Sequence, residues 1–210
     1  MNKTGDKRNS TKSNPNESIT SRNKIIATAK EVFISKGFEN TTISLIAKKA
    51  GIGYGTVYSH FDNKADILCE IIEDTLSDVY VISSESFFPK TREEAHRIIL
   101  KQTKKYLSIA VTHKRMLQVI FEAKNHSEIV NTKWENLREY FFNSVTQDIT
   151  YAKNNGLTRD NLQPEIIAKV WYSCIENYLM RIVLDKETQE IDLITEQLVD
   201  FYVNGLYKPV

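Results

Sequence analysis

Residues 42–61 constrain the fold more than any other stretch of the chain, because they specify two short helices joined by a glycine turn. The first helix is predicted over residues 43–50, with Thr42 as its N-cap and apolar residues at helical spacing. Gly51 ends this helix, since glycine adopts the left-handed conformation common just past a helix end. The second helix follows at once and is predicted over residues 54–60. The two helices are therefore expected to pack across one tight turn.

The second helix has a small, polar outward surface. Hydroxyl and imidazole groups reach phosphate oxygens and base edges, and short side chains let a backbone approach a groove. Val57 and Phe61 are expected to face inward, and the outward residues are Tyr54, Gly55, Thr56, Tyr58, Ser59 and His60. Two short helices with a glycine turn also occur in helical proteins that bind no nucleic acid. The motif therefore favours DNA contact without requiring it.

The formal charge is divided unevenly along the chain. The whole chain carries a net charge of +1, but residues 1–61 hold ten basic and four acidic residues, a net of +6. Residues 62–210 hold 18 basic and 23 acidic residues, a net of −5. No acidic residue lies between Glu39 and Asp62. This partition indicates that the N-terminal segment binds an anionic partner and that the acidic remainder binds a partner of a different kind.

Short motifs between residues 20 and 68 follow one another in a distinctive order. They are a first helix with Ile25, Ile26, Ala29, Val32 and Phe33 inward, then Lys36-Gly37-Phe38, Thr41-Thr42, Ile46-Ala47, Ala50-Gly51-Ile52, Gly55-Thr56-Val57-Tyr58 and Phe61-Asp62-Asn63-Lys64. In this order and spacing the segment resembles the TetR-type (tetracycline-repressor-like) bacterial transcription regulators. The resemblance implies an all-helical homodimeric repressor that releases its operator when a small molecule enters the second domain.

The resemblance also assigns DNA contacts residue by residue. The residues that it implies are Thr42, Ser44, Tyr54, Gly55, Thr56, Tyr58, Ser59, His60 and Lys64. We expect Tyr58 and Lys64 to contact phosphates while Ser59, Tyr54 and Thr56 contact bases. One departure is Gly53, which stands where the family commonly places serine. Glycine is a weaker N-cap than serine by only a few tenths of a kcal/mol, so the recognition helix is expected to form.

Length and patterning predict an all-α chain in three segments. These are a disordered polar tail over residues 1–17, a three-helix DNA-binding domain over 18–63, and an effector-binding and dimerisation domain over 64–210. The tail has no apolar segment of a secretory signal, and the chain has no apolar run of about 18 residues, so we expect a cytoplasmic protein without membrane contact. Lys3, Lys7, Arg8 and Lys12 offer an arm for DNA phosphates, although a solvated tail is the favoured interpretation.

Helical periodicity predicts a long helix that joins the two domains, and it also predicts a dimer interface in the larger domain. Tilting of the long helix would move the recognition helix. Asn63 and Asp66 form a predicted capping box at the start of a helix that runs to about Ser84. The helix over about 166–183 carries apolar residues on more than one face, and the helix over about 191–206 carries a second apolar stripe. Together they resemble the dimer-forming pair of the family, which predicts a homodimer. A twofold dimer presents its two recognition helices to a pseudo-palindromic DNA site about 34–36 Å apart, or a multiple of that.

Aromatic residues in the larger domain indicate a hydrophobic or amphipathic effector. The candidate ligand-binding residues are Tyr106, Phe121, Glu122, Trp134, Phe141, Trp171, Cys174, Glu176 and Tyr178. Each aromatic residue is also a plausible core residue. Glu122 and Glu176 are singled out because a carboxylate among aromatic rings can hold a cation.

No catalytic or metal-binding motif is found, so neither an enzyme nor a cofactor is expected. Cys69 and Cys174 are far apart and are interpreted as reduced thiols. A redox-sensing repressor that uses either cysteine stays open as an alternative. A helical interaction module or enzyme that carries a helix-turn-helix is a third. The sequence leaves open the operator, the effector and the choice between repression and activation.

Overall fold

A computed structural model describes residues 15–208, within which ten α-helices form and no strand is present. The helices are α1 (Pro15–Lys36), α2 (Ile43–Ala50), α3 (Tyr54–Tyr58), α4 (Lys64–Thr75), α5 (Ser77–Ser83), α6 (Arg92–Thr112), α7 (Lys114–Ala123), α8 (Glu128–Asn154), α9 (Pro164–Val183) and α10 (Ile191–Leu206). The predicted all-α fold, with a small helix-turn-helix domain before a larger helical domain, is confirmed.

Helices α1, α2 and α3 pack into a small bundle around one apolar centre. Ile25 and Phe33 of α1, Ile46 of α2 and Val57 of α3 are completely buried. Full burial of such side chains stabilises a fold by about 1.5–3 kcal/mol each. Val57 is therefore the anchor that holds the short α3 against the bundle.

The ends of α2 follow from local interactions that the sequence predicts. The Thr42 hydroxyl accepts the N–H of Leu45 at 3.2 Å. Gly51 has a φ of 61°, and its N–H and that of Ile52 reach back to the last turn of α2. Both helix ends thus satisfy backbone groups that would otherwise be unpaired.

Helix α3 is shorter than the predicted range of residues 54–60. It ends at Tyr58, and the Ser59 hydroxyl donates to the Thr56 carbonyl oxygen at 2.7 Å. The N–H of His60 donates to the carbonyl oxygen of Val57 at 3.0 Å, which is the tighter i→i−3 pattern. The final turn is therefore no longer α-helical.

Helix α1 begins at Pro15, inside the range predicted as a disordered tail. Proline suits the first turn of a helix because its missing N–H is not needed there. The predicted tail residues 1–14, which include Lys3, Lys7, Arg8 and Lys12, lie outside the described residues.

The long helix predicted from about residue 64 to about residue 84 is divided into α4 and α5. The Asn63 side chain accepts the N–H groups of Ala65 and Asp66, as expected for a capping box, but α4 then ends at Thr75. Leu76 leaves helical geometry with φ −108° and ψ 14°, while its side chain stays in the core. The Ser77 hydroxyl donates to the carbonyl oxygen of Asp74, which a continuous helix would give to the N–H of residue 78. The prediction of one helix to residue 84 was therefore wrong.

Helices α6 to α10 form the larger bundle. Helix α10 packs along α6, and α8 and α6 both pack along α9. Helix α8 ends before Gly156, which has a φ of 70°, and α9 begins with Pro164 in its first turn. Over residues 15–208, no helix is both long and apolar enough to cross a membrane, and no group of residues has the composition of a metal site.

Candidate nucleic-acid interface and ligand cavity

The outward face of α2 and α3 presents most of the predicted DNA-binding side chains to solvent. Thr42, Ser44, Thr56 and Ser59 are exposed, as is Gly55. Tyr54 and Tyr58 expose 51% and 44% of their surface, which is high for aromatic side chains. His60 differs, because it is half-buried. The face is therefore polar and has hydroxyl groups at its centre.

Tyr54 and Tyr58 form a pair on successive turns of α3. Their rings meet edge to face with centroids 4.8 Å apart, and their hydroxyl oxygens lie 3.1 Å apart. The hydrogen bond between Tyr58 and Tyr54 is the main cause that raises the pKa of the Tyr58 hydroxyl above its ordinary value. The Tyr58 hydroxyl thus stays protonated at neutral pH. Because one hydroxyl donates to the other, the pair keeps one O–H for a phosphate or base acceptor.

The start of α3 has no side-chain cap, as the glycine at position 53 predicts. Gly53 is extended, with φ −60° and ψ 141°, and the N–H groups of Thr56 and Val57 donate to its carbonyl oxygen. A helix N-terminus without a side-chain cap keeps backbone N–H groups available to a phosphate oxygen.

Lys64 is held by the protein itself. Its ammonium donates to the carbonyl oxygens of Phe38, at 2.6 Å, and Glu39, at 3.1 Å. It also lies 4.4 Å from the centre of the Phe38 ring. An ammonium has three N–H donors, so one stays available for the phosphate contact that the family resemblance implies.

Glu122 lies at the junction between the two domains and not in a ligand cavity. Its carboxylate accepts the N–H of Phe38 at 3.2 Å and the N–H of Glu39 at 3.1 Å. The turn approaches so closely because Gly37 has a φ of 78°, and a Cβ there would lie 2.9 Å from a Glu122 oxygen. The interpretation of Glu122 as a ligand-binding carboxylate is therefore corrected: it fastens α7 to the turn between α1 and α2.

An internal cavity of about 50 Å³, here called the inner cavity, lies among the last residues of α5 and helices α6, α8, α9 and α10. Three of the candidate ligand-binding residues line it, namely Tyr106, Phe141 and Trp171. Their role in ligand binding stays a prediction. Sequence reasoning missed several of its polar lining residues, which are Ser83, Gln102, Ser144, Asp148, Tyr202 and Tyr207.

Asp148 is a carboxyl group in an apolar setting. Burial raises its pKa from 3.8 to about 7. No hydrogen bond or ion pair to its side chain is found within residues 15–208. Its position three residues after Val145 and one before Ile149, within the apolar stripe of α8, was the signal that could have identified it.

The remaining candidate ligand-binding residues lie elsewhere. Glu176 is neutralised by Arg138, at 3.0 Å, and accepts the Tyr172 hydroxyl at 3.0 Å, so it is not a vacant anionic site. Phe121 and Trp134 pack edge to face with centroids 5.2 Å apart, within the apolar core. Tyr178 is half-buried and contributes to neither the inner cavity nor the groove between α9 and α10. Aromatic character alone had suggested Phe121, Trp134 and Tyr178, and Glu176 was suggested as a carboxylate among aromatic rings.

Cys174 lines an apolar groove of about 180 Å³ between α9 and α10, here called the α9–α10 groove. Beside it, Ile166, Val170 and Phe201 expose 60%, 54% and 75% of their surface. Contiguous apolar side chains of this kind mark interaction surfaces. The surface coincides with the two helices predicted to form the dimer.

The redox alternative finds little support in the thiols. Both Cys69 and Cys174 are free and half-buried. Burial is the main cause that raises the pKa of the Cys69 thiol, whereas sensor cysteines have a lowered pKa and good access to solvent.

A helix-turn-helix with an exposed polar recognition face, joined to a larger helical domain with an internal cavity, defines a helix-turn-helix DNA-binding regulator. Residues 25–71 match the family of bacterial regulatory proteins called the tetR family. The helix-turn-helix segment of the chain is therefore of the TetR type.

Similarity to individual proteins extends over most of the chain. The fatty acid metabolism regulator protein of Bacillus subtilis is 20% identical over 183 residues, covering 87% of this chain and 94% of that protein. An HTH-type transcriptional regulator of Staphylococcus aureus is 27% identical over 180 residues, covering 79% of this chain and 93% of that protein. The structure of NalD, the secondary repressor of the MexAB-OprM multidrug efflux pump in Pseudomonas aeruginosa, has a TM-score of 0.72 at 18% identity and covers 92% of this chain and 100% of that chain.

Proposed function

We propose that this regulator is a homodimeric repressor that binds a pseudo-palindromic operator and releases it when a small hydrophobic or amphipathic molecule binds the larger domain. The observation that carries the proposal is the α3 surface, where buried Val57 fixes the helix and Tyr54, Thr56, Tyr58 and Ser59 face outward. No catalytic step is assigned to the chain. An operator-bound role places the protein in the bacterial cytoplasm.

The side chains on this surface divide between two tasks. Tyr58 and Lys64 are assigned to phosphates, because a protonated phenol and an ammonium donate to phosphate oxygens. Ser59, Tyr54 and Thr56 are assigned to base edges in the major groove. The edge-to-face packing of the tyrosine pair, with its hydroxyls 3.1 Å apart, holds both rings in one arrangement on this surface.

The α9–α10 groove supports the homodimer. A helix-turn-helix monomer reads few base pairs, whereas a twofold dimer places two recognition helices about 34–36 Å apart or a multiple of that. Exposed Ile166, Val170 and Phe201 provide an apolar surface that a second copy of the chain would remove from water.

Two connections support control of DNA binding by the larger domain. Helix α5 contributes Ile82 and Ser83 to the inner cavity, and α5 follows directly from α4, which packs against α1. Glu122 joins α7 to the turn before α2. Expansion of the cavity by a ligand would move α5 or α7 and hence the recognition surface.

The proposal is tested by fluorescence anisotropy of the purified protein with DNA from its own upstream region, across a salt series and with a panel of apolar and cationic compounds. A specific complex with a steep salt dependence, which one compound dissociates, is the expected result. Absence of sequence preference at every salt concentration would contradict operator binding. A specific complex that no compound weakens would contradict control by a ligand.

A further inference from the structure

The inner cavity shares part of its wall with a second space at the protein surface. A larger outer groove of about 590 Å³ lies between α8 and the connection from α5 to α6. The inner cavity and the outer groove share Ser83, Phe87, Ser144 and Asp148. These four residues, here called the throat, therefore form the boundary that the two spaces share.

In the described part of the chain, the charged residues that line the inner cavity and the outer groove are all acidic. Asp148 is the one charged residue that lines the inner cavity, and the outer groove adds only Glu85. Glu85 is neutralised by an ion pair with Lys105, whereas no such partner is found for Asp148 within residues 15–208. An anionic ligand head would meet the Asp148 carboxylate with no lining cation to compensate. A cationic head would satisfy that carboxylate.

The aromatic residues that line the inner cavity suit the apolar part of a ligand whose cationic group lies at Asp148. Tyr106, Phe141 and Trp171 line the inner cavity, and the Trp171 ring stacks on Tyr202 with centroids 4.1 Å apart. Aromatic faces attract cations and also pack against apolar groups. Within the described residues, the Ser83 hydroxyl at the throat is buried and has no hydrogen-bond partner.

We propose that the throat binds the cationic group of an amphipathic effector through the Asp148 carboxylate, with a short apolar part in the inner cavity and the remainder in the outer groove. This inference rests on the proposed function, because it assigns the effector class of the cavity. It moves the cation-binding role from Glu122 and Glu176, both of which have protein partners, to Asp148. Burial raises the pKa of Asp148 to about 7, as expected for a carboxyl group that lacks its counterion.

The test uses three probes of equal chain length: decyltrimethylammonium, decanoate and 1-decanol. Isothermal titration calorimetry measures their binding to the full-length protein and to the Asp148→Asn variant at pH 8, where the Asp148 carboxyl is ionised. The control variant is Glu139→Gln, since Glu139 is an exposed carboxylate on the same helix that lines neither space.

The expected result is that the cation binds the unmodified protein about tenfold more tightly than decanoate or 1-decanol, because only the cation is attracted electrostatically to the Asp148 carboxylate. Asp148→Asn should abolish this preference, and Glu139→Gln should retain it. Equal affinity of Asp148→Asn and the unmodified protein for the cation would overturn the inference. Tighter binding of decanoate than of the cation would also overturn it, and this comparison needs no variant to fold.

The same probes added to the protein–DNA complex separate this inference from the proposed function. A cation that binds through Asp148 but leaves the DNA complex intact would support the site and contradict control by that site. Release of DNA by decanoate, without binding of the cation, would support a ligand-responsive repressor and overturn the cationic effector class.

Discussion

At the scale of single residues, Asp148 and Tyr58 differ in what surrounds their polar atoms. Asp148 lies against an apolar cavity, and burial raises its pKa to about 7. Tyr58 lies on the surface, and its hydrogen bond with Tyr54 keeps its hydroxyl protonated and its ring oriented. A buried carboxyl group destabilises the fold when it ionises, whereas an exposed, oriented hydroxyl contributes chiefly to binding. The two residues therefore give different measurable consequences when they are replaced.

Asp148→Asn should stabilise the protein in a pH-dependent way. The pKa rises from 3.8 to about 7 on folding, so the folded state binds more protons between these values and the unmodified protein loses stability as the pH rises from 4 to 7. The titratable groups that face Asp148 are Tyr202 and Tyr207, whose pKa values burial raises, and Glu85 of the outer groove. We expect the variant to be more stable by roughly 2–4 kcal/mol at pH 8 and nearly equal at pH 4 in urea unfolding. A difference that does not change with pH would contradict the assignment.

Tyr58→Phe should weaken binding to every DNA duplex by a similar factor. Loss of one hydroxyl contact to phosphate corresponds to about 3- to 10-fold in affinity, without a change in sequence preference. Anisotropy titrations with the operator and with an unrelated duplex measure both quantities. Tyr140→Phe is the matched control, because Tyr140 is an exposed tyrosine on α8 and should leave both affinities unchanged. Weakening confined to the operator would show that Tyr58 contacts bases.

At the scale of secondary-structure elements, α3 and α7 depend on interactions at their ends or along one side. Helix α3 has five residues and no side-chain cap, and its position depends on Val57. Helix α7 has an apolar buried side, and it extends Glu122 to the backbone of the α1–α2 turn. The recognition helix is therefore weakly stabilised by its own sequence, while its surroundings are fastened to the larger domain.

Gly53→Ser should stabilise the start of α3. Gly53 has extended backbone geometry that serine adopts without strain, and a Cβ there would meet only the Thr56 hydroxyl, at 3.6 Å. A serine hydroxyl can accept an N–H of the first turn, which is worth a few tenths of a kcal/mol over glycine. Thermal unfolding should show a small rise in Tm. No rise, or a fall, would indicate that the uncapped terminus is not limiting for α3.

Glu122→Gln should loosen the junction between α7 and the α1–α2 turn. The amide has one acceptor oxygen and no charge, so the N–H groups of Phe38 and Glu39 lose charge-assisted bonds and about 0.5–1.5 kcal/mol of stability is lost. Hydrogen exchange followed by NMR should be faster at these two amides. Glu196→Gln, an exposed carboxylate on α10, is the control. Unchanged exchange at Phe38 and Glu39 would show that the two bonds do not hold the turn.

At the scale of the whole molecule, the proposed function needs a second copy of the chain. The small domain presents one recognition helix, and the α9–α10 groove leaves large apolar side chains in water. Association through this groove would bury these side chains and duplicate the recognition surface in the same step. Dimerisation and operator affinity are therefore expected to change together.

Val170→Lys should weaken the dimer, whereas Val111→Lys should not. The two valines lie on helices and expose 54% and 56% of their surface, but only Val170 lines the α9–α10 groove. A lysine buried at an interface must lose its hydration, so we expect the dimer dissociation constant to rise at least about tenfold. Sedimentation velocity over a concentration series measures this constant. Equal effects of the two substitutions would place the interface elsewhere.

Features that depend on near neighbours in the chain could be predicted from the sequence by itself. The Thr42 cap, the left-handed Gly51, the capping box of Asn63 and the start of α9 at Pro164 all arise from interactions within a few residues. The repeat of apolar residues likewise predicted the helices and their buried sides, because a helix has a fixed period. The family match over residues 25–71 follows the same local motifs.

Only the tertiary structure decided which polar groups meet and which stay unpaired. Glu122 bonds to backbone groups more than 80 positions away, and Glu176 meets Arg138 from another helix, so neither carboxylate could be excluded as a ligand site from the sequence. The break at Leu76 and the exposure of Asp148 to the inner cavity depend on how whole helices pack. The physical reason is that burial and pairing are set by contacts between distant segments, whereas caps and periodicity are set within one turn of the chain.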